Sequence, residues 1–259
     1  MSKNYRETVT QHYQKQAKEL GLNLKSTMPD QNIRELEITN IIKYLNDGDD
    51  CLELGCGNGA ASIEIAKKRK LNQISIDYSK EMIELANKQN KLNIKGNIEF
   101  EQGDILDLKI SKQFDVVFTV RCIINLMDKN DQKMALNNLA KLVKINGKLV
   151  LLEAFSDGLE EINMARKELG LDSIPPAHHN LHLVKSDVIN HLKNYGMKLV
   201  NEDCFLSSYY FWTRAISPAL VKANNVGIKF NSKIDSYFKF LTPYGNFSHI
   251  KLLVFKKIE

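Results

Sequence analysis

The chain has 259 residues, of which 43% are hydrophobic and 26% charged, with a formal net charge of +5. This composition suits one globular α/β domain with additions and excludes a disordered, fibrous or disulfide-stapled chain. The 36 basic residues are spread along the sequence, which argues against a nucleic-acid track, and no apolar stretch approaches the length needed to span a bilayer. The cysteines Cys51, Cys56, Cys122 and Cys204 form no CxxC pair and sit mostly in apolar surroundings. The opening MSKNYRETVTQHYQKQAKEL has no apolar segment of the kind a secretory leader carries. Reduced thiols in a cytoplasmic protein are therefore expected.

In chain order, residues 5–20 and 30–46 have the spacing of amphipathic helices, the second through Ile33, Leu36, Ile38, Ile41, Ile42 and Leu45. Pro29 and Asp30 suit the start of that second helix. From residue 50 the segments DCLEL, AASIEIAKKRK, QISIDYS, KEMIELANKQN, NIEFEQGD and FDVVFTV alternate short apolar strands with helices, the pattern of a parallel sheet with crossovers. A helix over DQKMALNNLAKLVK, ending at Asn146-Gly147, leads into the strand KLVLLEAF. A helix near 158–169 precedes SIPPAHHNLHL, whose paired prolines stop any helix, and KSDVINHLKNYG is helical again. MKLVNEDCFLSSYYF and HIKLLVFKKI are predicted strands. The aromatic-rich connection between them is roughly forty residues long, which marks a functional element or a small lid.

The stretch CLELGCGNGAAS places an apolar strand directly before Gly55, Gly57 and Gly59. Glycines there let the backbone turn sharply and let a ligand approach main-chain N–H groups at a helix start. The turn alone reads as the dinucleotide fingerprint through Gly55, Gly57 and Ala60, or as an acid followed by G-x-G-x-G for a different adenosine-bearing cofactor, or as a plain tight turn. Asp77 ends the second strand about twenty residues further on, where a carboxylate accepts ribose hydroxyls. Gly103-Asp104-Ile105 ends the third strand and can offer a carboxylate and an apolar wall to an adenine ring. Glu53, the glycine turn, Asp77 and Gly103-Asp104 thus fall at the carboxyl ends of successive strands, where open α/β sheets bind ligands. Their conjunction is far more specific than any member.

With ELGCGNG as a cofactor loop, IDYSKEMIELA as a ribose segment, GDIL as an adenine segment and FDVVFTVRCIINL beside them, the sequence resembles the class I S-adenosylmethionine-dependent methyltransferases. The resemblance covers residues 50–155, and strands at 197–206 and 249–257 match the antiparallel end of that family's sheet. It implies an α/β fold with a Rossmann-like seven-stranded sheet, mostly parallel with an antiparallel last strand, plus an N-terminal helical cap and a lid insert. The organisation that follows is a cap over 1–46, an S-adenosylmethionine-binding core over 47–206, a substrate lid over 207–248 and a final core strand over 249–259. S-adenosyl-L-methionine is the implied cofactor, held by Glu53, Gly55, Cys56, Gly57, Asp77, Tyr78, Met82, Asp104, Ile105, Val120 and Arg121. The flanking STMPDQNIRELE, VRCIINL, PAHHNLH and SSYYFWTRAISPAL resemble small-molecule methyltransferases found with sugar-modifying genes. The Asp/Asn-Pro-Pro-aromatic loop of enzymes that methylate nucleobase amines is replaced here by Thr119-Val120-Arg121-Cys122, and Pro175-Pro176 lies after the fifth strand instead. Nucleobase methylation loses support.

A sulfonium already makes its methyl group electrophilic, so the protein must hold an acceptor in line and exclude water. A hydroxyl acceptor profits from a general base, whereas a neutral amine needs none. His179 is the candidate base, with His178 and Asn180 shaping its loop; loop histidines satisfied by backbone are an equally simple reading. His178, His179 and His182 lack Cys or carboxylate partners at ligand spacing, so no metal is expected. Arg121 is the second catalytic candidate, placed to clamp a carboxylate or phosphate, with Asn125 beside it on the substrate. Arg34 and Glu37 either close over the cofactor or form a surface ion pair. Tyr209, Tyr210 and Arg214, with Phe211 and Trp212, suit the faces of a sugar or planar substrate, or else pack the insert. The expected activity is methyl transfer from S-adenosylmethionine to a small polar molecule, a sugar or nucleotide-sugar hydroxyl or amine. An RNA or protein methyltransferase and a non-catalytic S-adenosylmethionine-binding protein are the alternatives. The expected partner is that small molecule, with no nucleic acid, no membrane and a homodimer as a possible assembly.

Overall fold

The alternation of short apolar runs with helical segments builds one mixed sheet in the computed structural model, which describes residues 4–23, 28–89, 91–224 and 232–258. Its strands are β1 (Asp50–Leu54), β2 (Asn72–Asp77), β3 (Asn97–Gln102), β4 (Phe114–Val120), β5 (Val143–Ala154), β6 (Met197–Asp203) and β7 (Ile250–Lys257). They lie in the order β3-β2-β1-β4-β5-β7-β6. β1 to β5 pair in parallel, and β7 runs antiparallel between β5 and β6. The fold expected from the sequence is the fold found.

Helices cover both faces, which is why the central strands read as nearly continuous apolar runs. The helices before the sheet are α1 (Asn4–Leu20) and α2 (Gln31–Ile42). The crossovers are α3 (Ala60–Lys68), α4 (Lys80–Lys88), α5 (Lys129–Lys141), α6 (Ser156–Glu168) and α7 (Lys185–Lys193). One face of the sheet packs Leu54, Val117, Leu151 and Phe255 against Leu136 and Leu139 of α5 and Val188 of α7. The other packs Cys51, Phe118, Val150 and Val254 against Ile33, Ile38 and Ile41 of α2. Side chains cap the helix starts: Asp30 Oδ1 accepts from Asn32 and Ile33, and Ser79 Oγ from Met82. Among the described residues no helix is long and apolar enough to cross a membrane.

Two predicted elements end elsewhere. The helix expected to reach Asn146-Gly147 stops at Lys141, because Val143 joins the sheet opposite Phe114 and Asn146 takes a left-handed φ of 66°. The strand expected over MKLVNEDCFLSSYYF stops at Asp203, whose partner Leu252 lies at the end of the β6–β7 ladder. With no strand to pair with, the following aromatics become helical as α8 (Ser207–Phe211), a π-helical turn over Trp212–Ile216, and α9 (Ser217–Asn224). A short α10 (Asp235–Phe238) precedes β7.

The connectivity fixes where a ligand can sit. After β1 the chain moves outward through β2 to β3, then returns to place β4 on the other side of β1. The loops leaving β1 and β4 diverge, and their carboxyl ends frame a crevice at this switch point.

Candidate active site

Residues 55–59 must carry the backbone from β1 into α3. Gly55 has φ +81° and Gly59 φ +71°, and a Cβ on either would stand 2.6 Å from Cβ of Cys122 or 2.7 Å from the Phe100 ring. Both positions require glycine for conformation and for space. The turn is pinned to β2, since Gly55 and Cys56 N–H donate to the Ile76 carbonyl (2.7 and 3.1 Å) and Gly57 N–H to Asp77 Oδ2 (2.8 Å). Asp77 Oδ1 accepts from Ser79 N–H (2.9 Å). Burial pushes the Asp77 carboxyl up from its ordinary value, against the opposing pull of these N–H groups. On β1, Glu53 Oε2 accepts from Gln73 (2.9 Å) and Ser75 (2.8 Å), and burial raises its carboxyl as well.

Glu53, Gly55, Cys56, Gly57, Asp77, Tyr78, Asp104, Ile105, Val120 and Arg121 line one cavity above these strand ends, together with Gly103 and Asn125. Met82 does not. Its amide donates to Ser79 Oγ at the cap of α4 and its side chain is fully buried. A glycine turn whose bare backbone a ligand can approach closely, a carboxylate ending β2, and apolar Ile76, Ile105 and Leu126 beside Asp104 fit an adenosine-bearing ligand.

The expected N-terminal cap roofs the cavity, with residues that the sequence reading did not name as site residues. Tyr5, Arg6, Val9, Thr10 and Tyr13 form one stripe along α1 and face the cavity. Arg6 binds Asp104 with both terminal nitrogens (3.0 and 3.2 Å) and lies over the Tyr78 ring, 5.6 Å from its centroid. Tyr13 donates to Asn125 Oδ1 (3.2 Å), Gln14 to Glu81 (2.9 Å) and Tyr5 to Asp131. The glycine turn grips the other end of α1, where Asn58 Nδ2 donates to the carbonyls of Gly21 (2.9 Å) and Asn23 (3.0 Å). A stripe this polar looks like a solvent face in sequence; only its partners after β3, after β4, on α4 and on α5 reveal its role.

Arg121 follows β4 with a left-handed φ of 53°, unusual for a residue with a side chain. Its surroundings over-determine that conformation. Its N–H donates to Leu152 O (2.7 Å), its carbonyl accepts from Asn125 Nδ2 (3.0 Å), and its Nε donates to Glu37 Oε1 (2.8 Å). Glu37 is fully buried and also pairs with Arg34 at 3.1 Å, so the two are not a surface ion pair. Burial, reinforced by nearby Arg121, pushes Arg34 down to about 10. Beneath this turn lies Glu153, which the sequence reading missed. Its Oε1 accepts from Thr119 Oγ1 (2.6 Å) and from the N–H groups of Cys122 (3.0 Å) and Ile123 (3.1 Å). The signal was present as an acid at the end of the otherwise apolar KLVLLEA.

Besides Met82, six predicted groups stand outside the cavity lining. His178, His179 and Asn180 lie in the connection from α6 to α7, and the His179 ring stacks on His12 of α1 at 4.1 Å, with its centroid 6.5 Å from that of Tyr13. Burial, followed by the neighbouring His12 and His178, pushes His179 down to about 4. A base so placed and so weak loses the support that position gave it. Tyr209, Tyr210 and Arg214 serve the buried cap residue Asp30. Tyr209 Oη donates to its carboxylate (3.0 Å), Arg214 Nη2 donates to Oδ2 (2.8 Å), and the Arg214 guanidinium covers the Tyr210 ring at 5.4 Å. An anion buried at a helix start needs such partners, which explains why these side chains turn away from the cavity.

A sheet of this order with one reversed strand, a glycine turn after β1, a carboxylate ending β2 and a cavity at the switch point defines the class I S-adenosylmethionine-dependent methyltransferase fold. The chain matches the methyltransferase domain family over residues 45–201 and belongs to it. It is similar to an O-methyltransferase of Aspergillus nomiae, 28% identical over 112 residues that make up 42% of this chain and 48% of that protein. It is also similar to a carboxy-S-adenosyl-L-methionine synthase of Nautilia profundicola, 30% identical over 183 residues, 63% of this chain and 75% of that one. The chain spans about half the length, or less, of the O-methyltransferases it matches. Magnesium protoporphyrin IX methyltransferase from Synechocystis, solved with bound S-adenosylhomocysteine, shares the fold over 99% of this chain and 97% of that one, with a TM-score of 0.59 and 16% identity. S-adenosylmethionine is accordingly the cofactor that the cavity residues fit.

Proposed function

We propose that the chain transfers a methyl group from S-adenosylmethionine to a hydroxyl or amine of a small polar molecule of the sugar or nucleotide-sugar type. The observation that carries this reading is the roof. α1 lies over the carboxyl ends of β1, β2 and β4 and contributes Tyr5, Arg6, Val9, Thr10 and Tyr13 to the cavity, so the acceptor must fit beneath a helix. An RNA or a folded protein would need an open groove. The O-methyltransferase relatives favour a hydroxyl. The four free cysteines suit a reducing, cytoplasmic setting.

The cofactor supplies an electrophilic methyl group on a sulfonium. Asp77 and the close backbone approach that the glycine turn allows would hold its adenosine end, and Asp104 with Ile105 would bound the purine. Arg121, locked by Glu37, and Asn125, locked by Tyr13, present fixed donors beside Val120, where they orient the acceptor. Closing α1 keeps water out. Positioning of this kind supplies up to about 7–11 kcal/mol of a barrier, so a transfer to a pre-oriented hydroxyl does not depend on a strong base.

The test is S-adenosylhomocysteine release with matched panels of sugars and nucleotide sugars, aliphatic amines, RNA and protein extracts. Turnover confined to the hydroxylated and aminated small molecules is expected. Turnover on RNA or protein alone would overturn the reading, and so would tight cofactor binding without turnover on any panel.

A further inference from the structure

Behind the roof, three imidazoles from two separate elements meet. His12 projects from α1, on the residue next to Tyr13, and His178 with His179 comes from the connection between α6 and α7. One ring nitrogen of each lies within 4.8 Å of the others. His12 and His179 stack at 4.1 Å, and His178 stands edge-on to both, at 6.2 and 4.9 Å. His182, which the sequence reading grouped with this pair, stacks instead on His249 at 5.1 Å.

We propose that His12, His178 and His179 form a site for a borderline divalent transition metal ion of the zinc type, which ties α1 to the α6–α7 connection. Nδ1 of His179 is buried with no hydrogen-bond partner, a costly state that coordination would relieve. A tetrahedral ion with bonds of about 2.1 Å sets ligand nitrogens about 3.4 Å apart, so the cluster must contract by about an ångström. His178 is exposed and free to rotate, and His12 need only swing out of its stack; its half-buried position leaves a solvent path to the fourth coordination place. Three neutral imidazoles and no carboxylate select Zn²⁺, Co²⁺ or Ni²⁺ over Mg²⁺ or Ca²⁺. Because His12 adjoins Tyr13, an ion here fastens the roof over the cavity without entering it. The site stands whether or not the chain transfers methyl groups.

Tag-free, metal-stripped protein titrated with Zn²⁺ against a chromophoric chelator tests it. One equivalent bound by the wild type is expected, with at least tenfold weaker binding in His12→Ala and in His178→Ala, no loss in His191→Ala, and no competition from Mg²⁺. His178→Ala guards against a folding artefact, since that side chain is exposed. Replacing Zn²⁺ with Co²⁺ reads the ligand type directly. Binding that survives the His12→Ala/His178→Ala double variant overturns the site, and so does a thiolate charge-transfer band, which would assign the ion to a cysteine. A wild type that binds no stoichiometric Zn²⁺ also overturns it.

Discussion

Asp77 has two tasks in one carboxylate. It closes the glycine turn through Gly57 N–H and starts the next loop through Ser79 N–H, and it also lines the cavity. Asp77→Ala removes charge-assisted hydrogen bonds worth about 1.5–3 kcal/mol each, so S-adenosylhomocysteine should bind about 10- to 150-fold more weakly or worse. Calorimetric titration of the folded variant measures this; unchanged affinity would place the ribose elsewhere. His249 makes a different prediction. Burial, followed by His182, Arg121 and Arg214, pushes it down to about 3 from 6.5, while its ring packs against Tyr210. Between these values the unfolded chain takes up a proton that the folded chain refuses. Stability is therefore full above about pH 6.5 and falls as the pH drops toward 3, by up to about 1.4 kcal/mol per unit in that window. Melting curves from pH 7 to 4 should show a shallower acid loss for His249→Gln than for the wild type.

For a helix of 17 residues, α1 has little core of its own. Ala17 is its one buried apolar side chain, and polar contacts to Asp104, Asn125, Glu81 and Asn58 hold the helix in place. Segments held mainly by half-exposed polar contacts open at low free-energy cost, as a roof over an enclosed ligand must. Hydrogen exchange in α1 and at the start of α2, from Asp30 to Arg34, should slow on addition of S-adenosylhomocysteine. Ser26 and the neighbouring linker residues lie outside the described residues. Arg6→Ala should raise the exchange of α1 and weaken cofactor binding on the order of fivefold, since its pair with Asp104 is partly solvated. Equal exchange with and without ligand would reduce α1 to a structural appendage. The helical segment from Ser207 to Ile216 docks differently, through the buried Asp30, Tyr209 and Arg214 cluster, and belongs to the firmer part of the molecule.

At the scale of the whole molecule, the last strand is the keystone of the sheet. β7 registers with β5 from Lys148↔Lys256 to Ala154↔Ile250, and with β6 from Met197↔Lys257 to Asp203↔Leu252. Leu252, Leu253, Val254 and Phe255 are at most 1% exposed. Burying each contributes about 1.5–3 kcal/mol, so together they rival the roughly 5–15 kcal/mol by which a domain is stable. A chain ending at His249 should lose its cooperative thermal transition by circular dichroism, and Val254→Asp should do nearly the same. A cooperative melt in the truncated chain would mean that β5 and β6 find each other without β7.

The period of apolar residues, the glycines after β1 and the acids at strand ends were enough to specify the sheet, its helices and the floor of the cavity. Those are local properties: a strand's two covered faces, a turn at φ +81°, and a carboxylate one loop away all leave their mark within about twenty residues. What lies over that floor is decided by contacts between distant segments. Arg6 meets Asp104, Tyr13 meets Asn125 and His12 meets His179, each across roughly a hundred residues or more, and a polar helical stripe carries no local sign of which surface it will cover. The reverse held for PAHHN and SSYYF, whose chemistry suggested an acceptor site. Tertiary packing turned His179 against His12, and the buried charge of Asp30 drew in Tyr209 and Arg214, because an ion removed from water binds whatever donors can reach it.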